Sequence, residues 1–163
     1  LRPDFIISED AGPLIARDNL PALGGAVCWE NVFEQPFRSQ SAAGAAAFAI
    51  LSNEDWLGAD GLEMTQMVSA SKLRAAETGR ALLRATNTGL SCVVSPNGSV
   101  DIGPGIRERA FWLAKLPLIS PQFQTSYLKS GWLLAPVWAI ICLIMLVLNI
   151  LGKRRLDLSS ENK

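Results

Sequence analysis

Between Ser130 and Gly152 the chain carries no charged residue, and from Leu133 to Leu151 it is dominated by Leu, Ile, Val and Ala. As a helix rising about 1.5 Å per residue, this run covers roughly 30 Å, the thickness of a bilayer's hydrocarbon core. A buried core helix is the competing reading, but core helices of that length normally keep a polar face. Trp132 and Trp138 lie toward one end, where indole rings favour the headgroup level. Pro136 falls in the first turns, where a missing N–H costs least. Lys153-Arg154-Arg155 comes next, and a basic cluster at one end of a span predicts that end in the cytoplasm. Three segments follow: a globular part over 1–130 on the opposite side, a transmembrane helix over 131–152, and a cytoplasmic tail of solvated chain over 153–163.

The globular part reads as α/β. Leu20 to Val27 and Ala45 to Leu51 are short apolar runs suited to buried strands, and Val32 to Ala43 is helical or irregular. Leu62 to Thr78 contains neither Pro nor Gly and is followed by Gly79, a helix with its stop. Leu82 to Thr86 and Leu90 to Ser95 read as strands joined by the turn Asn87-Thr88-Gly89. Pro96-Asn97-Gly98-Ser99 is a turn into a strand over Val100-Asp101-Ile102, and Gly103-Pro104-Gly105 breaks that strand. Phe111 to Leu118 is a candidate for one more strand.

Composition narrows the chemistry. There is no histidine, which removes a Ser-His-Asp triad, a Cys-His dyad and ordinary Cys/His zinc sites. Lys plus Arg and Asp plus Glu each total 15, so the basic footprint of a nucleic-acid binder is missing. The three cysteines, Cys28, Cys92 and Cys142, are too scattered for a disulfide framework. No metal-ligand or cofactor motif is present, and none is expected.

Cys28 is the sharpest candidate. It closes an apolar strand and is followed by Trp29, Glu30 and Asn31. The end of a buried parallel strand faces the crevice where α/β proteins place ligands, and a helix starting near Trp29 would offer N–H groups to an oxyanion or a thiolate. Glu30 can orient a partner or take a proton. A buried structural cysteine fits the same pattern, since free Cys is among the most buried residue types. Cys92, inside Leu90-Ser91-Cys92-Val93-Val94, reads as core, and Cys142 as part of the span.

Without histidine, a nucleophilic cysteine needs a carboxylate or an ammonium to activate it. A Glu-Lys-Cys set of that kind belongs to the nitrilase, or carbon–nitrogen hydrolase, superfamily, and the chain resembles its membrane-bound branch, the apolipoprotein N-acyltransferases. Val27-Cys28-Trp29-Glu30 resembles the nucleophile motif. Leu51-Ser52-Asn53-Glu54-Asp55-Trp56-Leu57-Gly58 resembles the segment SNDAWFG. Gln66 through Arg80 resembles the helix ending in ETGR, and Leu82 through Gly89 matches almost identically. Pro96-Asn97-Gly98 and Thr125-Ser126-Tyr127 follow in order. Met67 stands where the family has His, Glu54-Asp55 replaces Asp-Ala, and Leu57 replaces Phe.

The resemblance implies a partial αββα nitrilase-like sandwich followed by one C-terminal transmembrane helix, in a bacterial inner membrane with residues 1–130 periplasmic. It implies transfer of an acyl chain from a phospholipid, through a thioester on Cys28, to the N-terminal amine of an apolipoprotein. Glu30 and Trp29 would support the nucleophile, and Trp56 would line the substrate pocket; as plain core aromatics the two tryptophans fit equally well. Arg80 and Arg84 are expected as buried partners of Glu30 or Glu77. The family's Lys and Glu would precede Leu1, so the chain reads as the C-terminal portion and is expected to turn over no lipid alone. Glu9 or Asp10 could replace the missing base. A membrane-tethered amidase using water and a non-catalytic remnant remain the alternatives.

Overall fold

Apolar runs alternating with helical ones build a single mixed sheet in the computed structural model, which describes residues 21–57 and 61–161. Its strands are β1 (Leu23–Val27), β2 (Ala47–Ser52), β3 (Leu82–Thr86), β4 (Cys92–Val94) and β5 (Val100–Ile102), lying side by side in chain order. The first three are parallel, and the last two continue antiparallel. Parallel neighbours need a crossover, supplied here by α1 (Gln35–Ala42) and α2 (Leu62–Thr78). α2 has the bounds expected from its sequence and ends on Gly79 at φ 66, the left-handed cap that glycine adopts without a Cβ penalty.

Register decides which face is buried. Ala26, Ile50, Arg84 and Cys92 form one cross-strand row, and Gly24, Phe48, Leu82 and Val94 the next. These rows pack on Phe37 of α1 and on Val68 and Ala75 of α2. Phe37 meets Phe48 edge-on at 5.0 Å between centroids, an arrangement worth about 1 kcal/mol beyond its burial. The opposite face carries Val27, Leu51 and Ala85 in register, all exposed. The described residues up to β5 are thus one helical layer on one sheet, in keeping with the partial αββα sandwich expected.

The outer edge of β1 is plugged by a side chain. Gln40 accepts from the Gly25 N–H at 2.6 Å and donates to the Gly25 carbonyl at 2.8 Å, occupying peptide groups that an edge strand would leave open. Gln40 needs room to do so: a Cβ on Gly24 would collide with its Oε1 and with the Phe48 ring.

Two expectations need correction. Phe111 to Leu118 forms no strand; Phe111 and Leu113 are fully exposed there. An apolar run becomes a strand only beside a partner, and none of the described residues pairs with it. The arginines also choose other partners. Arg84 pairs with Glu54, and both are buried; Arg74 pairs with Glu77 at 3.1 Å. Arg80, also fully buried, donates to the carbonyls of Ala45, Thr78, Ser41 and Phe123 and, among the described residues, to no carboxylate.

The chain divides into two units, one ending at Leu128 and the other beginning at Lys129. A short helix, α3 (Ser126–Ser130), and a 3-10 turn (Gly131–Leu133) precede α4 (Leu134–Glu161). α4 does not stop at Gly152: the tail expected as loose chain is helical through Glu161. Among the described residues no helix is long and apolar enough to cross a membrane. The side chains described in α4 end at Ile150, about 25 Å from its start, and every one of them is exposed.

Tyr127, the only tyrosine, hydrogen-bonds through its hydroxyl to Glu34. That bond holds the Glu34 carboxyl below its ordinary range and pushes Tyr127 up to about 12. The signs are opposite. Tyr127 contributes stability below its unfolded pKa near 10, lost as pH rises through about 12. Glu34 contributes above its unfolded pKa, lost as pH falls through the lowered folded value. Phenolate absorbance should therefore titrate near 12 in the folded protein and near 10 in denaturant. A folded midpoint near 10 would show the Tyr127–Glu34 bond absent.

Candidate active site

Because β1, β2 and β3 run parallel, their carboxyl ends lie together at one edge of the sheet, the edge where α/β folds place ligands. Cys28 follows β1, Asn53 and Glu54 follow β2, and Asn87 follows β3. Cys28 has φ 51, a left-handed conformation that few non-glycine residues adopt. It opens a five-residue 3-10 turn, Cys28–Val32, so the helical start near Trp29 is a 3-10 one. Glu30 sits in that turn, and its Oε2 accepts from the Val27 N–H at 2.7 Å. The expected supporting carboxylate is thus engaged with the backbone immediately before the cysteine.

The half-buried Cys28 thiol donates to the Asn53 carbonyl at 3.8 Å. The same carbonyl accepts from the Trp56 indole N–H at 3.0 Å. Asn53 holds its own loop as well: its Oδ1 accepts from the Asp55 N–H at 3.2 Å and from Asn87 Nδ2 at 2.7 Å. Asn87 Oδ1 in turn accepts from the Glu54 N–H at 3.0 Å. The two asparagines satisfy backbone at the strand ends.

Trp29 and Trp56, 50% and 64% exposed, face each other with centroids 6.2 Å apart. They line a cleft of about 380 Å³ with Val32, Leu57, Gln66 and Met67. Neither ring is a plain core aromatic. Another cleft, of about 460 Å³, is lined by Glu34, Arg38, Ser41 and Gln124 and contains none of the candidate residues. Cys92 lies in the core, where burial pushes its thiol up and away from reactivity. Cys142 is exposed on α4. Glu9 and Asp10 lie outside the described residues.

Sequence reasoning missed the pairing beneath this edge. Glu54 meets Arg84, and Arg84 also donates to Ser71 Oγ at 3.0 Å. Ser71 donates to Asn31 Oδ1 at 3.1 Å, and Asn31 donates to the Met67 carbonyl at 2.8 Å. One signal was available: Arg84 shares the inward face of β3 with Leu82, so a buried cation there demanded a carboxylate nearby.

The family described as carbon-nitrogen hydrolase matches residues 6–119. An apolipoprotein N-acyltransferase of Shewanella oneidensis is 34% identical over 119 residues, covering 71% of this chain and 22% of that protein. One of Gloeobacter violaceus is 32% identical over 139 residues, covering 84% of this chain and 26% of that protein. The chain thus spans about a quarter of the length of these curated relatives. The crystal structure of a carbon-nitrogen hydrolase from Helicobacter pylori shares the fold at a TM-score of 0.53, with 17% identity over 62% of this chain and 42% of that one.

Proposed function

The chain belongs to the carbon–nitrogen hydrolase family, and from that premise we propose that it carries the nucleophile of an acyltransferase moving a phospholipid acyl chain to the N-terminal amine of a lipoprotein. The observation carrying this reading is Cys28 itself. It is held in a left-handed turn at the carboxyl end of a parallel strand, beside a cleft walled by two tryptophans.

The chemistry runs in two halves. The Cys28 thiolate attacks the ester carbonyl; the C–S bond forms, the C–O bond breaks, and the leaving alkoxide takes a proton to give lysophospholipid. The acceptor amine then attacks the thioester; C–N forms, C–S breaks, and the amine's proton passes to a base. The Asn53 carbonyl accepts a hydrogen bond from the thiol but cannot remove its proton. We assign the base to a residue outside those described, where Glu9 and Asp10 also lie. Trp29 and Trp56 form the wall against which the acyl chain packs, and Glu30 steadies the turn.

α4 is the element we propose as the membrane anchor of the chain. Its sequence continues the apolar run through Leu151, and Lys153-Arg154-Arg155 supports a cytoplasmic location for that end, in a bacterial inner membrane. Residues 1–130 are then periplasmic.

The test supplies the full gene product, in its membrane, with phospholipid labelled in one acyl chain. A lipopeptide bearing a diacylglyceryl-cysteine amine is either added or withheld. Label should accumulate on protein as a hydroxylamine-sensitive thioester and move to the lipopeptide on its addition. Release as free fatty acid at the same rate with or without lipopeptide would make the protein a hydrolase. No label on protein at all would end the covalent reading.

A further inference from the structure

We infer that Glu54, through its buried pair with Arg84, is a positioning residue for Cys28; the inference rests on Cys28 being the acylated residue. A chain of contacts from this pair reaches Cys28 from two sides. On one side, the Glu54 carboxylate meets Arg84, and the residue before Glu54 offers the carbonyl that receives the Cys28 thiol. On the other, Arg84 reaches Ser71, Ser71 reaches Asn31, and Asn31 stands in the same 3-10 turn as Cys28. The route closes into a ring: Cys28, Asn53, Glu54, Arg84, Ser71, Asn31 and back along the turn.

Stability alone is a poor reason to keep such a pair. Two charges removed from water carry a large desolvation penalty, and apolar residues of similar volume often replace a buried pair at no loss. The pair here is also imperfectly satisfied: Glu54 Oε2 and Arg84 Nε have no hydrogen-bond partner among the described residues. The surrounding backbone nevertheless makes way for it. A Cβ on Gly89 would collide with Glu54 Oε2, so the turn after β3 passes close only because that residue is glycine. What the ring supplies is restraint. A left-handed cysteine persists only where its surroundings over-determine it. The loop after β2 must also hold the Asn53 carbonyl and the Trp56 ring in place together.

The experiment compares Glu54→Gln, Glu54→Asp and the volume-keeping double variant Glu54→Leu/Arg84→Met in the full gene product. Two readouts are taken: kcat and KM for acylation by phospholipid, and the pH profile of Cys28 alkylation by iodoacetamide, read at that residue by mass spectrometry. Glu54→Gln should lower kcat about tenfold or more with KM within about threefold, the signature of a displaced nucleophile, and should alter the alkylation profile. Glu54→Asp should recover most of the lost kcat. The double variant should stay as slow as Glu54→Gln while its melting temperature remains near wild type. If Glu54→Gln does not fold, the double variant decides. Wild-type kcat and an unaltered alkylation profile in a folded double variant would overturn the inference. Failure of the wild type to acylate Cys28 would instead overturn the acyl-transfer reading, and the alkylation profiles would still judge Glu54.

Discussion

Cys28→Ala should abolish the acyl-enzyme and lower acyl transfer by roughly 10⁴-fold or more, the scale on which losing a nucleophile acts in covalent catalysis. Cys92→Ala should leave the thioester in place. The contrast is positional. Cys28 stands at the open carboxyl edge of the sheet, half-buried, with its thiol directed at a loop carbonyl beside a cleft. Cys92 is fully buried in the row with Ala26, Ile50 and Arg84, and burial pushes its thiol up. Cys92→Ala removes one sulfur from the core, so its expected cost is stability of about 1–2 kcal/mol and not activity. The check is mass spectrometry of each variant after exposure to phospholipid. An acyl adduct on Cys92, or undiminished transfer by Cys28→Ala, would place the chemistry elsewhere.

How far the sequence foretold this arrangement depends on the range of the interaction involved. α2 and the strands Leu82–Thr86 and Val100–Ile102 were readable because periodicity, a following glycine and a Pro-Asn-Gly-Ser turn are local signals. Cys28 at a strand end was readable for the same reason. Its left-handed backbone was not, because that conformation follows from what Glu30 and the neighbouring strand ends do around it. The Glu54–Arg84 pair joins residues 30 apart in sequence and becomes visible only once β2 and β3 are set in register. Without that register, Glu30 and Glu77 looked equally eligible for Arg84. Phe111 to Leu118 failed in the opposite way: its apolar composition suits a strand, but hydrogen bonding needs a second chain segment that no described residue supplies. The helix beyond Gly152 was missed because charge marks the end of an apolar run, and an apolar run is not the same thing as a helix.

The largest loss of stability should come from Arg80→Met. Arg80 is fully buried, and its guanidinium reaches four carbonyls. Two effects oppose each other. Burial disfavours the charged form and draws the Arg80 pKa down, so removing the charge recovers some desolvation energy. Against this, the carbonyls of Ala45 and Thr78 would be left buried without that donor. Ser41 O also accepts from the Gly44 N–H, at 3.1 Å, and so keeps a partner; the Phe123 carbonyl is only partly buried and can turn to water. Orphaned buried acceptors cost about 1–3 kcal/mol each, and methionine fills most of the volume but donates nothing. The acceptors win, with an expected net loss of about 3–5 kcal/mol. Arg80→Lys should fall between, since an ammonium has three donors and cannot spread them over a planar fork. The effect should also be local. Arg80 ties the start of β2, the end of α2 and the segment around Phe123 to one point, so amide exchange should accelerate in all three in Arg80→Met, ahead of the rest of the sheet. Thermal unfolding and hydrogen exchange of the full gene product in detergent would read both. A melting temperature within a few degrees of wild type would mean that other donors take over the Ala45 and Thr78 carbonyls, and that the guanidinium is tolerated there without being required.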